Sequence, residues 1–276
     1  MFEPLAAEVA LRVPAYAEWQ RARLYARLAG QRIVRELVIA EGARMWDAGA
    51  GALRSHPPRV VNAHAARFVV AGIGATPAGA VLAELADNLR RVMVAAPCSA
   101  HIFVNPRAAL HITLALLSSP DEPFPLGSTE AVAAEAAALA AAGARSALDG
   151  LVLELHDVVI DAAGVVLALW RPVTGSPEAL RRALAQAAGR PLPHKQPTYI
   201  VHSSLARIVG WPTVADVGDL DRKVQLAELA AAGAAARAWL AEMRPASVVV
   251  APRELLYCDE MTYKSAMVPG NECVVL

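Results

Sequence analysis

Along the chain the apolar positions change period several times, and each change marks an element. From Pro14 the apolar residues recur at helical spacing through Trp19, Leu24, Leu28, Ile33, Leu37 and Val38, which predicts one helix over residues 14 to 48. "GAGALRSHPPR" at 49 to 59 ends that pattern with glycines and paired prolines. It sets a boundary between an N-terminal helical extension (1–55) and a main domain (56–276). Beyond it a plan repeats. "RFVVAGIGA" reads as a strand, and Thr76-Pro77 opens a helix to about Met93 as N-cap and first helical residue. After a connection comes a second strand, "HITLALLSSP". In the second half "GVVLALWRP" reads as a strand, Ser176-Pro177 opens a helix to Gly189, and "TYIVHSSLARIVG" reads as the strand that follows. Further helices are predicted over 129 to 142 and 219 to 243, with strands over 149 to 160, 247 to 250 and 253 to 261. Strands that neighbour one another without strict βαβ alternation predict an α+β fold of two antiparallel lobes.

Polar positions inside those strands carry the chemistry. In "AALHITLALLSSP", Leu110, Ile112 and Leu114 share one strand face while His111 and Thr113 share the other. Two adjacent polar groups in an apolar strand need partners, because an unpaired buried polar group costs roughly 1–3 kcal/mol. "YIVHSSLARI" repeats the arrangement with His202 and Ser204, again in the strand after a Pro-opened helix. His56, His64, His101, His156 and His194 lack a hydroxyl two residues on. Histidine ionises near neutrality and can act as base or acid, so two of them can flank one phosphorus in an in-line displacement. A hydroxyl at the same face can donate to a non-bridging phosphate oxygen. The catalytic candidates are therefore His111 and His202, with Thr113 and Ser204 as phosphate-binding residues. Which histidine is the acid is left open by the sequence.

"HITLAL" and "HSSLAR" resemble the paired His-x-Thr/Ser signatures of the 2H phosphoesterase superfamily, which includes 2′-5′ RNA ligase-like proteins and cyclic nucleotide phosphodiesterases. "QPTYIVHSSLARI" is similar to the second motif of the plant-type members. The resemblance spans roughly residues 60 to 265 and leaves out the N-terminal extension. It implies two pseudo-symmetric lobes with antiparallel sheets around a central cleft, the histidine strands facing each other, and chemistry without a metal or other cofactor. It also implies hydrolysis of a cyclic phosphate or of a phosphodiester beside a 2′-hydroxyl. Ligation in reverse, or a non-catalytic RNA- or nucleotide-binding module on the same scaffold, are the alternatives.

Composition narrows the partners. Of the chain, 26 residues are basic and 26 acidic, for a formal net charge of zero. That balance argues against a protein that tracks long nucleic acid and points to a small nucleotide or an RNA terminus. Cys98, Cys258 and Cys273 have no metal-ligand spacing, and free thiols are expected although a hairpin would bring the last two together. No H-E-x-x-H or H-x-H-x-D motif offers further metal ligands, so no metal is expected. Nor is there a secretory signal or an uncharged apolar run of the roughly 18 residues a membrane span needs. An intracellular, cytoplasmic monomer is the expectation; Glu3, Glu8 and Glu18 weigh against an organellar leader.

Lesser candidates fill in the picture. Gln196 and Thr198 share the parity of His202 and are candidates for lining the cleft, as is Tyr199. Tyr199, Tyr257 and Tyr263 are candidates for stacking on a base, with ordinary half-buried contacts as the plainer reading. Arg207 sits at an odd offset from His202, which puts it on the opposite strand face. "VVAGIGATPAG" imitates a dinucleotide-binding turn, but Pro77 stands where the third glycine belongs. Gly72 and Gly74 are expected to end a strand and make a tight turn. Arg21, Arg23, Arg27, Arg32 and Arg35 crowd the N-terminal helix, interrupted by acids, and read as a solvated face.

Overall fold

"VVLALW" is apolar at every position, and a strand of that kind needs cover on both faces. In the computed structural model it forms the first part of β7 (Val165–Thr174), with Val165 to Trp170 all buried. Val166, Ala168 and Trp170 enter the main core, while Val165, Leu167 and Leu169 enter a second apolar cluster on the other face. The structure describes residues 14–47, 49–50, 52–53, 66–95, 101–119, 122–141, 148–193, 200–210, 219–243, 247–260 and 272–276.

The described helices are α1 (Pro14–Ala29), α2 (Arg35–Met45), α3 (Pro77–Ala95), α4 (Thr129–Ala141), α5 (Pro177–Ala187) and α6 (Asp219–Met243). The other strands are β1 (Trp46–Asp47), β2 (Ala52–Leu53), β3 (Ala66–Gly72), β4 (His101–Val104), β5 (His111–Ser118), β6 (Val152–Ile160), β8 (His202–Gly210), β9 (Val249–Val250), β10 (Leu256–Glu260) and β11 (Glu272–Val275). β1 and β2 form a two-stranded ribbon. The rest make one curled nine-stranded sheet in the order β11-β10-β3-β5-β8-β7-β6-β9, with β4 also paired to β8.

The architecture is α+β, in two pseudo-symmetric antiparallel lobes. One lobe is built on β3–α3–β5 and the other on β7–α5–β8, and in each the last strand begins with a histidine. Both expected caps form. Thr76 Oγ1 accepts from the Gly79 amide at 3.1 Å, and Ser176 Oγ accepts from the Ala179 amide at 3.1 Å. Leu82, Leu85, Leu89 and Met93 of α3, Leu180 and Leu184 of α5, and Leu229 and Leu240 of α6 join Ile112, Leu114, Leu205 and Ile208 in the main core. No described helix is long and apolar enough to cross a membrane.

The single helix expected over 14 to 48 is two. Between them Val34 N–H donates to Ala162 O at 2.8 Å and Gln31 Oε1 accepts from Ala162 N at 3.1 Å. The β6–β7 turn thus captures backbone that a continuous helix would have used internally. α1 lies across β7 on the second cluster, through Leu24 and Tyr25, and α2 carries the fully buried Val38. β4 and β11 are strands that periodicity does not predict, each only four residues long. In the β10–β11 ladder Cys258 stands opposite Cys273, and no disulfide joins them. The boundary expected near residue 55 falls outside the described residues.

Candidate active site

His111 is positioned by the turn that precedes it. A single 3-10 turn, Arg107–Ala109, leads into β5. Its backbone packs directly on Gly74, where an added Cβ would lie 2.2 Å from Arg107 O. Arg107 Nε also donates to Gly74 O at 2.8 Å, and Ile73 N–H donates to Leu110 O at 2.9 Å. Gly74 therefore serves a close backbone approach that fixes the start of the histidine strand. His111 Nδ1 lies 2.8 Å from Ala109 O. A carbonyl can only accept, so Nδ1 carries the proton and a neutral ring is left with Nε2 as its acceptor. Desolvation of the half-buried ring lowers its pKa below the ordinary histidine value, and the bond to Ala109 O opposes that shift.

His202 opens β8 in a more enclosed setting. Immediately before it, Tyr25 Oη donates to Trp170 O at 2.6 Å and accepts from Val201 N–H at 3.1 Å, pinning the start of β8 to α1 and β7. Burial pushes the pKa of this phenol up to about 12, so it stays a neutral donor. On the opposite side Arg181, buried, donates from Nε to Leu114 O at 2.6 Å and from Nη2 to Ile200 O. It bridges β5 and β8 where their own pairing gives out, since the two strands meet at a single registered pair, Thr113 with His202. Desolvation first, then His111, Arg181 and Arg207, push the His202 pKa down to about 3. Its Nδ1 is buried without a hydrogen-bond partner among the described residues.

That one pair decides the geometry of the site. Directly opposed residues in an antiparallel ladder share a face. His202 is therefore beside Thr113, and the same register carries Ser204 toward His111. The four side chains selected from the sequence stand on one sheet face at the seam between the lobes. The two histidines are on the diagonal, roughly 7–8 Å apart between backbones. The core side of the same strands carries Ile112 and Leu114, and on β8 Ser203 and Leu205, all buried. Ser203 Oγ accepts from Trp170 Nε1 at 3.0 Å, which accounts for a hydroxyl in the core.

Arg207 is not on the opposite face. In the β7–β8 ladder Leu169 pairs with His202, Leu167 with Ser204, and Val165 with Arg207. The register shift beside Leu205 inserts one residue into β8, so parity changes there and Arg207 returns to the histidine face. It is half-buried, with Nη1 3.1 Å from Met45 Sδ at the end of α2. A cation near the histidine pair was thus missed for one reason: strict alternation fails at a bulge. Asn105 braces the same stretch, donating from Nδ2 to Ser204 O at 2.7 Å.

Gln196, Thr198 and Tyr199, expected to line the cleft, lie outside the described residues, as does Tyr263. Tyr257 is buried and donates to Glu135 Oε2 at 2.9 Å, within a network that also ties Arg67 and Arg190 to Glu135. It serves the core and not a base. No group of three or more His, Cys, Asp and Glu side chains that could hold a metal ion occurs among the described residues. The site holds two imidazoles, two hydroxyls and a guanidinium, a set suited to proton transfer around an anionic centre.

No family model and no curated protein matches the chain. Two solved structures are similar to it. A conserved protein of unknown function from Agrobacterium tumefaciens aligns over 78% of this chain and 94% of its own, with TM-score 0.42 and 16% identity. Usb1 from Kluyveromyces marxianus, solved with uridine monophosphate, aligns over 78% of this chain and 99% of its own, with TM-score 0.41 and 12% identity.

Proposed function

We propose that the chain is a metal-independent phosphoesterase of the 2H type. Its substrate is a cyclic phosphate, or a phosphodiester beside a 2′-hydroxyl, in a small nucleotide or at an RNA end. The observation that carries this reading is the Thr113–His202 register, which gathers His111, Thr113, His202 and Ser204 on one face. Thr113 and Ser204 donate to the non-bridging oxygens of the phosphate, and Arg207 adds a positive charge as charge builds in the transition state.

The environments of the two histidines divide the work. His202, beside two guanidinium groups, is neutral in the free site, and it is the base that takes a proton from the attacking water once a bound phosphate anion raises its pKa toward the working range. His111 donates Nδ1–H to Ala109 O, a bond that favours its charged form, and is the acid that protonates the departing ribose oxygen from Nε2. Water adds to phosphorus, one ester bond breaks, and the proton lost by the water is matched by the proton gained on the leaving oxygen. An anionic substrate raises both histidine pKa values on binding, moving them toward the working range.

The test is a panel of 2′,3′-cyclic and 3′,5′-cyclic nucleotides, with the position of the product phosphate determined. His111→Ala and His202→Ala, each with a native circular dichroism spectrum, are expected to lower turnover by about 10²–10⁴-fold. Arg207→Ala is expected to lower kcat and kcat/KM together with both histidines in place, and EDTA should leave activity intact. Near-normal turnover by either histidine variant sinks the two-histidine mechanism.

A further inference from the structure

Among the described residues β4 is paired along one edge only. It pairs with β8 through His101–Gly210, Ile102–Ile208, Phe103–Arg207 and Val104–Ala206, and no strand pairs with its other side among the described residues. Asn105 N–H donates to Leu205 O at 2.9 Å, toward β8. By alternation the backbone groups of Val104 and Ile102 turn the other way. Beside this strand is a cleft of about 370 Å³ lined by Ala83, Asp87 and Arg90 of α3, by Ile102 to Arg107, and by Trp46. The volume is in the range of small-ligand sites, roughly 300–1,000 Å³. Trp46 and Phe103 stand 6.1 Å apart between ring centres at 51°, both half-buried.

We propose that this cleft holds the nucleobase of the substrate whose phosphate sits between His111 and His202. The inference rests on the function proposed above and adds a subsite to it. Two features fit a base. Rings offer a stacking surface to any planar heterocycle, and outward-turned N–H and C=O groups on a strand edge can meet its hydrogen-bonding edge. Placement fits as well. Phe103 is registered opposite Arg207, on the histidine face, and Asn105 lines the cleft while bonding to the Ser204 carbonyl. From Ser204 to Phe103 is on the order of 10 Å along the strands, about the reach of a nucleotide from phosphate to base. Trp46 comes from the N-terminal segment, so that segment becomes part of the binding site.

The test compares kcat/KM for 2′,3′-cyclic AMP with kcat/KM for ribose 2′,3′-cyclic phosphate, which has no base. In Trp46→Ala the ratio of the first to the second is expected to fall about tenfold. Trp46→Leu, which keeps apolar bulk, serves in its place if the alanine variant does not fold. A ratio equal to that of the parent chain overturns the subsite. If the parent chain turns over neither compound, the phosphoesterase reading fails on its own, and binding then decides the cleft. A saturable quench of tryptophan fluorescence by adenosine that Trp46→Leu abolishes sustains it. No quench, or one that survives the substitution, overturns it.

Discussion

One inserted residue at Leu205 decides whether a cation stands beside His202. Up to Ser204, counting by twos along the sequence identifies the right face. At Arg207 it fails, because a bulge depends on how β7 and β8 pair, and no local pattern encodes that pairing. The histidines themselves were legible, since a polar residue repeated at the same place in two apolar strands needs no tertiary information to notice. Their unequal environments were not, because Arg181 reaches His202 from another element and no periodic pattern says that the His111 ring turns back onto the Ala109 carbonyl two residues earlier. Those environments have a pH signature. The His202 pKa is depressed when folded, to about 3 against 6.5, and that of His111 is lowered too. The unfolded chain therefore binds these protons first as pH falls, so stability is full above about pH 6.5 and is lost below it, at up to about 1.4 kcal/mol per pH unit per histidine. Urea midpoints at pH 7.5, 6 and 5 should drop in that order. In His202→Gln the slope between pH 6 and 5 should be shallower, and an unchanged slope would count against the enclosed setting described for this ring.

At the scale of elements, α1 departs most from its sequence pattern. Its arginines read as a solvated face, yet Arg21 is buried and pairs with Glu178 of α5, which also accepts from Ser176 Oγ at 3.2 Å. Helical periodicity locates a helix and its apolar stripe, but it cannot say that a neighbouring helix supplies a carboxylate. Tyr25, one turn along, ties the same helix to the first residues of the His202 strand. α1 is thereby part of what aims the His202 ring. Removing one partner of a buried ion pair leaves the other charge uncompensated, which costs roughly 3–5 kcal/mol. Arg21→Ala should show that loss in denaturant unfolding, while Arg23→Ala, on the exposed side, should change stability by less than about 0.5 kcal/mol. Equal effects would mean that α1 is not held through Arg21.

Over the whole molecule the repeat of strand, Pro-opened helix and histidine strand was visible in the sequence, and with it the two lobes. Their fusion into one sheet was not. β4 has four residues, too few to show a period, yet it leaves the first lobe to pair with β8 of the second. With β5 and β8 also in contact, the lobes share hydrogen bonds and a single main core. Calorimetry should therefore show one transition, with van't Hoff and calorimetric enthalpies in agreement; two separable transitions would contradict the shared core. The seam has another consequence. A half-turn about an axis through it exchanges His111 with His202 and Thr113 with Ser204. Joining two ends is cleavage run backwards, and microscopic reversibility requires acid and base to trade duties between the two directions. Rotation performs that same trade, so in the proposed reaction the four residues by themselves do not distinguish acid from base. That distinction comes from what breaks the symmetry, the Ala109 carbonyl that braces one ring and the guanidinium pair that flanks the other, while the free energies of the reactants set the direction of net reaction.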